Sequence, residues 1–124
     1  MIDYTADTVS ALLLRGADTA PAIAAPGQAS LTHAALRDLC LRTVTALNAM
    51  GIGRQDRVAM VLPNGPEMAA AFVAVATAAT TAPLNPGYRA DEFDFYLTDL
   101  NAKCLLIQHG MESPARAVAA AKNT

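Results

Sequence analysis

Charge is what this chain has least of. Of its 124 residues only 16% are Asp, Glu, Lys or Arg, against about 25% in an ordinary soluble domain. Tryptophan is absent, aromatic residues make up 5%, and there are two cysteines, Cys40 and Cys104, without CxxC spacing. Each scarcity excludes something. Two thiols form at most one bridge, so no disulfide framework exists, and both read as reduced, buried, apolar side chains. The nine basic residues are scattered and the net charge is −2, which leaves no basic stripe for nucleic acid. Met1-Ile-Asp-Tyr4 carries neither a basic leader nor a small-residue cleavage site behind an apolar core, so no secretory signal is read there.

Strongly apolar runs are missing as well. Met68 to Tyr88 is uncharged, but it consists mainly of Ala and Thr and contains Pro83, Asn85 and Pro86. A span needs about 20 strongly apolar residues, so a buried helix followed by a strand is predicted, in a cytoplasmic chain with no membrane span. Hydrophobic residues nevertheless reach 53%, and mean hydropathy is +0.27. A freestanding domain of this length buries only about two thirds of its unfolded surface and should carry more charge outside. The mismatch predicts faces built to pack against something else, and a tendency to self-associate.

What is present alternates between two periods. A short helix begins near Asp7 or Thr8, with Asp7 a suitable N-cap, Val9, Leu12 and Leu13 on one face and Gly16 as its stop. Pro21–Ala25 and Ala29–Leu31 read as a hairpin turned by Pro26-Gly27. From His33 to Met50, Leu36, Cys40, Val44 and Leu47 form a helical stripe, with Arg37, Asp38 and Arg42 off it; Thr32 caps the start and Gly51 the end. Val58–Leu62 is a short continuous apolar run, the mark of a strand covered on both faces.

Asn64 reads as the N-cap of the next helix, with Pro66 in its first turn and Glu67 at the capping-box position. That helix, Glu67 to Ala79, is apolar nearly all round and is predicted to be buried on most sides. Thr80–Leu84 reads as a strand and Ala90–Leu100 as a helix carrying Phe93, Tyr96, Leu97 and Leu100 on one face. Cys104–Ile107 reads as a strand and Pro114–Lys122 as a helix. Strands alternating with helices imply a parallel sheet with right-handed crossovers. Such a sheet binds ligands beyond its carboxyl ends, here Pro63-Asn64-Gly65, Asn85-Pro86-Gly87 and Gln108-His109-Gly110.

The polar candidates mostly reduce to structure. Gly51-x-Gly53 precedes a strand and has Asp56 where a dinucleotide fingerprint needs glycine, so it reads as a helix stop plus a turn. His33 has no ligand partner at helical spacing and reads as a first-turn surface histidine; His109 follows a strand end and reads as a loop residue. Asp91, Glu92 and Asp94 suit a helix start, and Phe93 and Tyr96 suit core packing. Capping explains Asn64 and turn chemistry explains Asn85. No catalytic, cofactor-binding or metal residue is assigned.

Five motifs in order nevertheless resemble a family: Leu31-Thr32 before a helix, Gly51-Ile-Gly53-Arg-Gln-Asp56-Arg57-Val58, Leu62-Pro63-Asn64-Gly-Pro66-Glu67, Ala82-Pro-Leu-Asn-Pro86, and Asp91-Glu-Phe-Asp-Phe-Tyr96-Leu-Thr-Asp99. They are similar to the opening of the adenylate-forming enzymes, over about Val9 to Ile107, and most resemble the acyl-CoA synthetases, in the oxalate–CoA ligase-like branch. Ala78-Ala-Thr-Thr-Ala82 departs from the glycine and β-branched run usual there.

The resemblance implies an α/β fold, a parallel sheet with helices on both faces preceded by a short N-terminal helix and β-hairpin, as an incomplete portion of the large N-terminal domain. Residues 1–124 would be a truncated segment of it. The parent would join a small carboxylic acid, fatty or dicarboxylic, to CoA through an acyl-adenylate, using ATP, Mg²⁺ and CoA. The phosphate loop, metal ligands and mobile lysine of that chemistry lie further along in the family, so no cofactor is expected in this chain and whether it is itself an enzyme is left open. Two other readings stay open. A freestanding flavodoxin-like binding or signalling module would need an acid at a strand end, where Pro63, Asn85 and Gln108 stand. A fragment that self-associates through an exposed sheet edge would need no catalysis.

Overall fold

The computed structural model describes residues 6–124; the segment Met1-Ile-Asp-Tyr4 read above for a leader lies outside the described residues. The elements run α1 (Val9–Leu13), β1 (Pro21–Ile23), β2 (Leu31–Thr32), α2 (His33–Ala49), β3 (Arg57–Val61), α3 (Pro66–Ala76), β4 (Thr80–Pro83), α4 (Ala90–Asp99), β5 (Cys104–Ile107) and α5 (Pro114–Ala121). β1 and β2 form a separate antiparallel pair. β3, β4 and β5 form a parallel sheet in the order β4-β3-β5.

The expected parallel sheet with helices on both faces, behind a short helix and hairpin, is what forms. Side chains of β3 alternate as a strand requires. Val58, Met60 and Leu62 enter a core with Leu47, Ile52 and Val75 from the α2–α3 side. Ala59 packs with Leu97, Ala102 and Ala119, and Val61 with Phe93 and Ala115, from the α4–α5 side. No helix among the described residues is long and apolar enough to cross a membrane.

Helix ends follow local chemistry. Thr32 accepts a hydrogen bond from the Ala35 amide at 3.1 Å. At the other end of α2, Gly51 has φ 77°, and the Ile52 amide donates to the Leu47 carbonyl at 2.9 Å. That is a Schellman closure, with Ile52 folded back on the last turn. Asn101 (φ 48°) and Asn123 (φ 58°) close α4 and α5 the same way, the Ala102 amide reaching Leu97 O at 3.2 Å and the Thr124 amide reaching Ala119 O at 2.9 Å. The Ala25 carbonyl accepts from the Gln28 amide around Pro26-Gly27, with Gly27 at φ 75°.

Four expectations need correcting. Thr8, not Asp7, caps α1, its hydroxyl accepting from the Ala11 amide at 3.0 Å. Val9 and Leu12 are exposed, and of that predicted face only Leu13 packs against the core, because a helix this short presents one residue inward per turn. α3 is not buried on most sides: only Ala74 and Val75 are fully enclosed, and Phe72 is 41% exposed. α2, the sheet and β1 pack on α3, and the face carrying Ala69 and Phe72 is exposed. Cys104 is half-buried where Cys40 is buried, because β5 is an edge strand.

The departure at Ala78–Ala82 is accommodated without glycine. The Thr77 amide donates to Ala74 O, and the Ala78 and Ala79 amides both donate to Val75 O, unwinding α3 into β4.

Candidate functional site

The β3–β4 crossover carries α3 over one face of the sheet, and the β4–β5 crossover carries α4 over the other. The winding reverses between β3 and β5, and ligands of doubly wound sheets lodge at the carboxyl side of such a point. The residues there are Pro63-Asn64-Gly65 after β3 and the loop from Gln108 to Ser113 after β5.

The second loop is well held. Arg116 donates from Nε to Met111 O at 2.8 Å and from Nη2 to Gln108 O at 2.9 Å. Gly110, at φ 75°, takes the turn, and Ser113 Oγ accepts from the Ala115 amide at 3.1 Å to start α5. An open hollow of about 400 Å³ lies over the loop, with His109, Glu112 and Arg116 on its wall. His109 is exposed, and the Arg116 guanidinium is committed to carbonyls.

The first loop corrects the reading of Asn64. The N-cap of α3 is Gly65, in extended backbone (φ 161°, ψ −175°), with no side-chain cap. The Ala69 amide bonds to Gly65 O at 3.1 Å. Pro66 takes the first helical position, where no amide partner is needed. This one-residue shift moves Glu67 off the capping-box position and leaves Asn64 exposed beyond the central strand. Asn85 acts as expected: its Oδ1 accepts from the Gly87 amide at 2.8 Å, an Asx turn.

Asp91, Glu92 and Asp94 at the start of α4 are engaged in structure. Glu92 Oε2 accepts from the Arg89 amide at 2.8 Å. Asp94 pairs with Lys122 at 2.8 Å, and Asp91 faces Arg89 at 3.6 Å. Phe93 is buried, and Tyr96 stacks on Tyr88 at 5.1 Å. The Gly51-x-Gly53 segment is a helix stop and a turn, the Gly53 amide donating to Asp56 Oδ2 at 2.8 Å. Among the described residues no three His, Cys, Asp or Glu side chains gather as a metal site. Burial pushes both thiols above their ordinary value, so neither is a ready nucleophile.

Sequence reasoning missed one cluster. Arg37, read as a residue off the packing stripe, folds back under the end of α1. Its Nη1 donates to Leu13 O at 2.9 Å and to Gly16 O at 3.0 Å, and its Nη2 pairs with Asp18. The signal available was a guanidinium one turn beyond His33, facing a glycine-containing loop. His33 itself is not the surface residue expected: it is half-buried and its Nδ1 is enclosed with no partner.

A Cβ on Gly16 would lie 2.1 Å from His33 Nδ1 and 2.3 Å from Cγ. Because the clash reaches the root of the ring, the whole side chain must move. Gly16→Ala is therefore expected to lower stability by about 2 kcal/mol, the usual cost of overpacking. Urea denaturation checks this, and a midpoint unchanged from the parent chain would refute the contact.

The donor set at the strand ends does not suit the ATP and Mg²⁺ that the resemblance implies for the parent. Among the described residues it contains no lysine and no buried unpaired polar group.

Comparison with known proteins places the chain. The sequence profile of a family described as AMP-binding enzyme matches residues 14–124. An oxalate–CoA ligase of Arabidopsis thaliana is 42% identical over 118 residues, covering 91% of this chain and 23% of that protein. The chain thus spans about a quarter of the length of that curated relative. In structure, apo MatB from Rhodopseudomonas palustris superposes with a TM-score of 0.78 at 24% identity, covering 92% of this chain and 23% of that one. The N-terminal domain of FACL13 from Mycobacterium tuberculosis gives 0.74 at 24% identity, covering 96% and 31%. These likenesses fix the fold, and the profile match leaves the flavodoxin-like alternative unfavoured.

Proposed function

The chain belongs to the AMP-binding enzyme family, and from that premise we propose that residues 1–124 are the opening segment of an ATP-dependent, AMP-forming acyl-CoA synthetase of the oxalate–CoA ligase branch. In the whole enzyme a carboxylate attacks the α-phosphorus of ATP, releasing pyrophosphate, and the CoA thiol then displaces AMP from the acyl-adenylate. Small carboxylic acid, ATP, Mg²⁺ and CoA belong to that parent, which works in the cytoplasm. This segment supplies no catalytic, cofactor or metal group. It builds the first three parallel strands on which such groups are mounted, and it is inert by itself.

The observation that carries the reading is the 42% identity to an oxalate–CoA ligase over nearly the whole chain. A chimera tests it, with residues 1–124 replacing the matched segment of the Arabidopsis enzyme. Oxalate-dependent pyrophosphate release is expected within about tenfold of the unaltered enzyme, a barrier change of about 1.4 kcal/mol. The isolated chain should release none and should give no heat with ATP–Mg²⁺. A folded chimera that uses other acids but not oxalate removes the branch assignment. One silent with every acid, or turnover by the isolated chain, removes the reading itself.

A further inference from the structure

The backbone on the two sides of Asp18 is held differently. After it, the chain is stapled to the start of α2: the Ala34 amide donates to Asp18 O at 3.1 Å and the His33 amide to Ala20 O at 3.0 Å. Before it lies α1, five residues with none buried. A helix needs about 12–15 residues before it begins to hold itself in water, so α1 depends on what it touches. Leu13 packs against Leu36, Cys40 and Ala74, while Leu12 and Leu14 are exposed. From α2, Arg37 reaches the Leu13 and Gly16 carbonyls.

Packing beneath α1 is incomplete. A hollow of about 150 Å³ lies between α1, α2 and the end of α3, walled by Leu13, Leu14, Cys40, Leu41, Val44 and Thr77. Side chains around a gap forfeit the dispersion contacts that a filled site would give. Cys40, 6% exposed, stands on the α2 wall of this hollow, so α1 is part of what keeps its thiol from water. The arrangement belongs to the α2–α3 side of the sheet; α4 and α5 pack together on the other.

We infer that α1 is a hinged strap, swinging as a unit about Gly16-Ala17 between a closed position latched by Arg37 and an open one that bares Cys40, with the rest of the fold intact. What opening gives up is confined to the strap: the burial of Leu13 and two hydrogen bonds. α2, α3 and the sheet lose nothing among themselves, which is the condition for opening below the global unfolding free energy. Asp18 lies on the fixed side of the hinge. The guanidinium therefore keeps its carboxylate partner while it lets go of the two carbonyls, and is never left without an acceptor.

With Cys104 replaced by alanine, Cys40 should react with iodoacetamide in native buffer at a rate that changes little with urea well below the unfolding midpoint, because strap opening exposes little surface. A second chain, with both cysteines replaced by alanine and carrying Val75→Cys, reports global unfolding, since Val75 is fully enclosed. It should react at least about a hundredfold more slowly, with a steep urea dependence. Arg37→Met should speed the reaction of Cys40 by at least about tenfold. Should Arg37→Met fail to fold, amide exchange in the unaltered chain still decides: the thiol should open in step with the Leu12 amide of α1 and well ahead of the Cys40 amide inside α2. Cys40 reacting no faster than the probe at position 75, opening in step with its own amide, or ignoring the loss of Arg37 overturns the inference. None of these readouts depends on acyl-CoA synthetase activity.

Discussion

Arg37→Met is expected to destabilise the fold by about 3 kcal/mol, since hydrogen bonds from a charged donor contribute about 1.5–3 kcal/mol and a carbonyl left unpaired costs more than the bond returned. Methionine keeps much of the stem that packs beside Cys40 and Leu13, so the loss isolates the guanidinium. The Leu13 and Gly16 carbonyls then lose their donor, and α1, which is too short to hold itself, detaches with them. The pair with Asp18 adds little, because that carboxylate is 80% exposed and water screens it. Arg37→Lys should recover only part, as one ammonium cannot serve two carbonyls and a carboxylate from a planar fork. Chemical denaturation of the three proteins gives the ranking. A methionine variant as stable as the parent would show that α1 is held by apolar contact alone.

That cluster also marks where reading the sequence stops working. Element order and type were legible, because Leu36, Cys40 and Leu47 repeat at helical spacing and Val58–Leu62 is an unbroken apolar run. Gly51 was legible as a helix stop, because a left-handed residue is a local demand. Arg37 was not, since its carbonyl partners lie 24 and 21 residues away in sequence, and only the packing of α1 on α2 brings them together. Asn64 was misread for a related reason. Either Asn64 or Gly65 can precede Pro66 at a helix start, and the packing of α3 decides between them. Of the region beyond the strand ends, the sequence revealed where it lies and that it lacks lysine; the reversal of winding between β3 and β5 needed the strand order.

Phe93→Ala should be the most damaging single truncation, at about 4 kcal/mol, within the range for a buried aromatic. Phe93 is fully enclosed among Val61, Ala115, Leu84, Leu105 and Val118, with the edge of Tyr88 at 5.8 Å. It is the largest fully buried side chain, and it joins α4, α5 and the sheet. Ala115 opposite it is already minimal, so α5 cannot move in to refill the space and the cavity term stays in full. Net stabilities of single domains lie near 5–15 kcal/mol, so this loss would consume a large share. The melting temperature should fall by roughly 15 °C for a chain of this length. Phe93→Leu, which nearly keeps the volume, should cost less than about 1.5 kcal/mol. Circular dichroism melts distinguish the two, and equal losses would mean that ring shape, not filled space, governs the site.

The two rims of the sheet are fastened by different means. At the lower rim Arg57 reaches from β3 to the Leu100 carbonyl at 2.6 Å, and the Thr80 amide reaches the Asp56 carbonyl, so each bond crosses between elements far apart in the chain. At the upper rim the Leu84 amide reaches the Met60 carbonyl, but the side-chain bonds stay local, Asn85 serving Gly87 and Arg116 at the start of α5 serving Gln108 and Met111 in the loop before it. Insertions below would therefore be felt across the whole domain, while insertions above would be absorbed where they fall. Such a scaffold lets natural variation lengthen and reshape the end that faces a ligand while the foundation stays as it is.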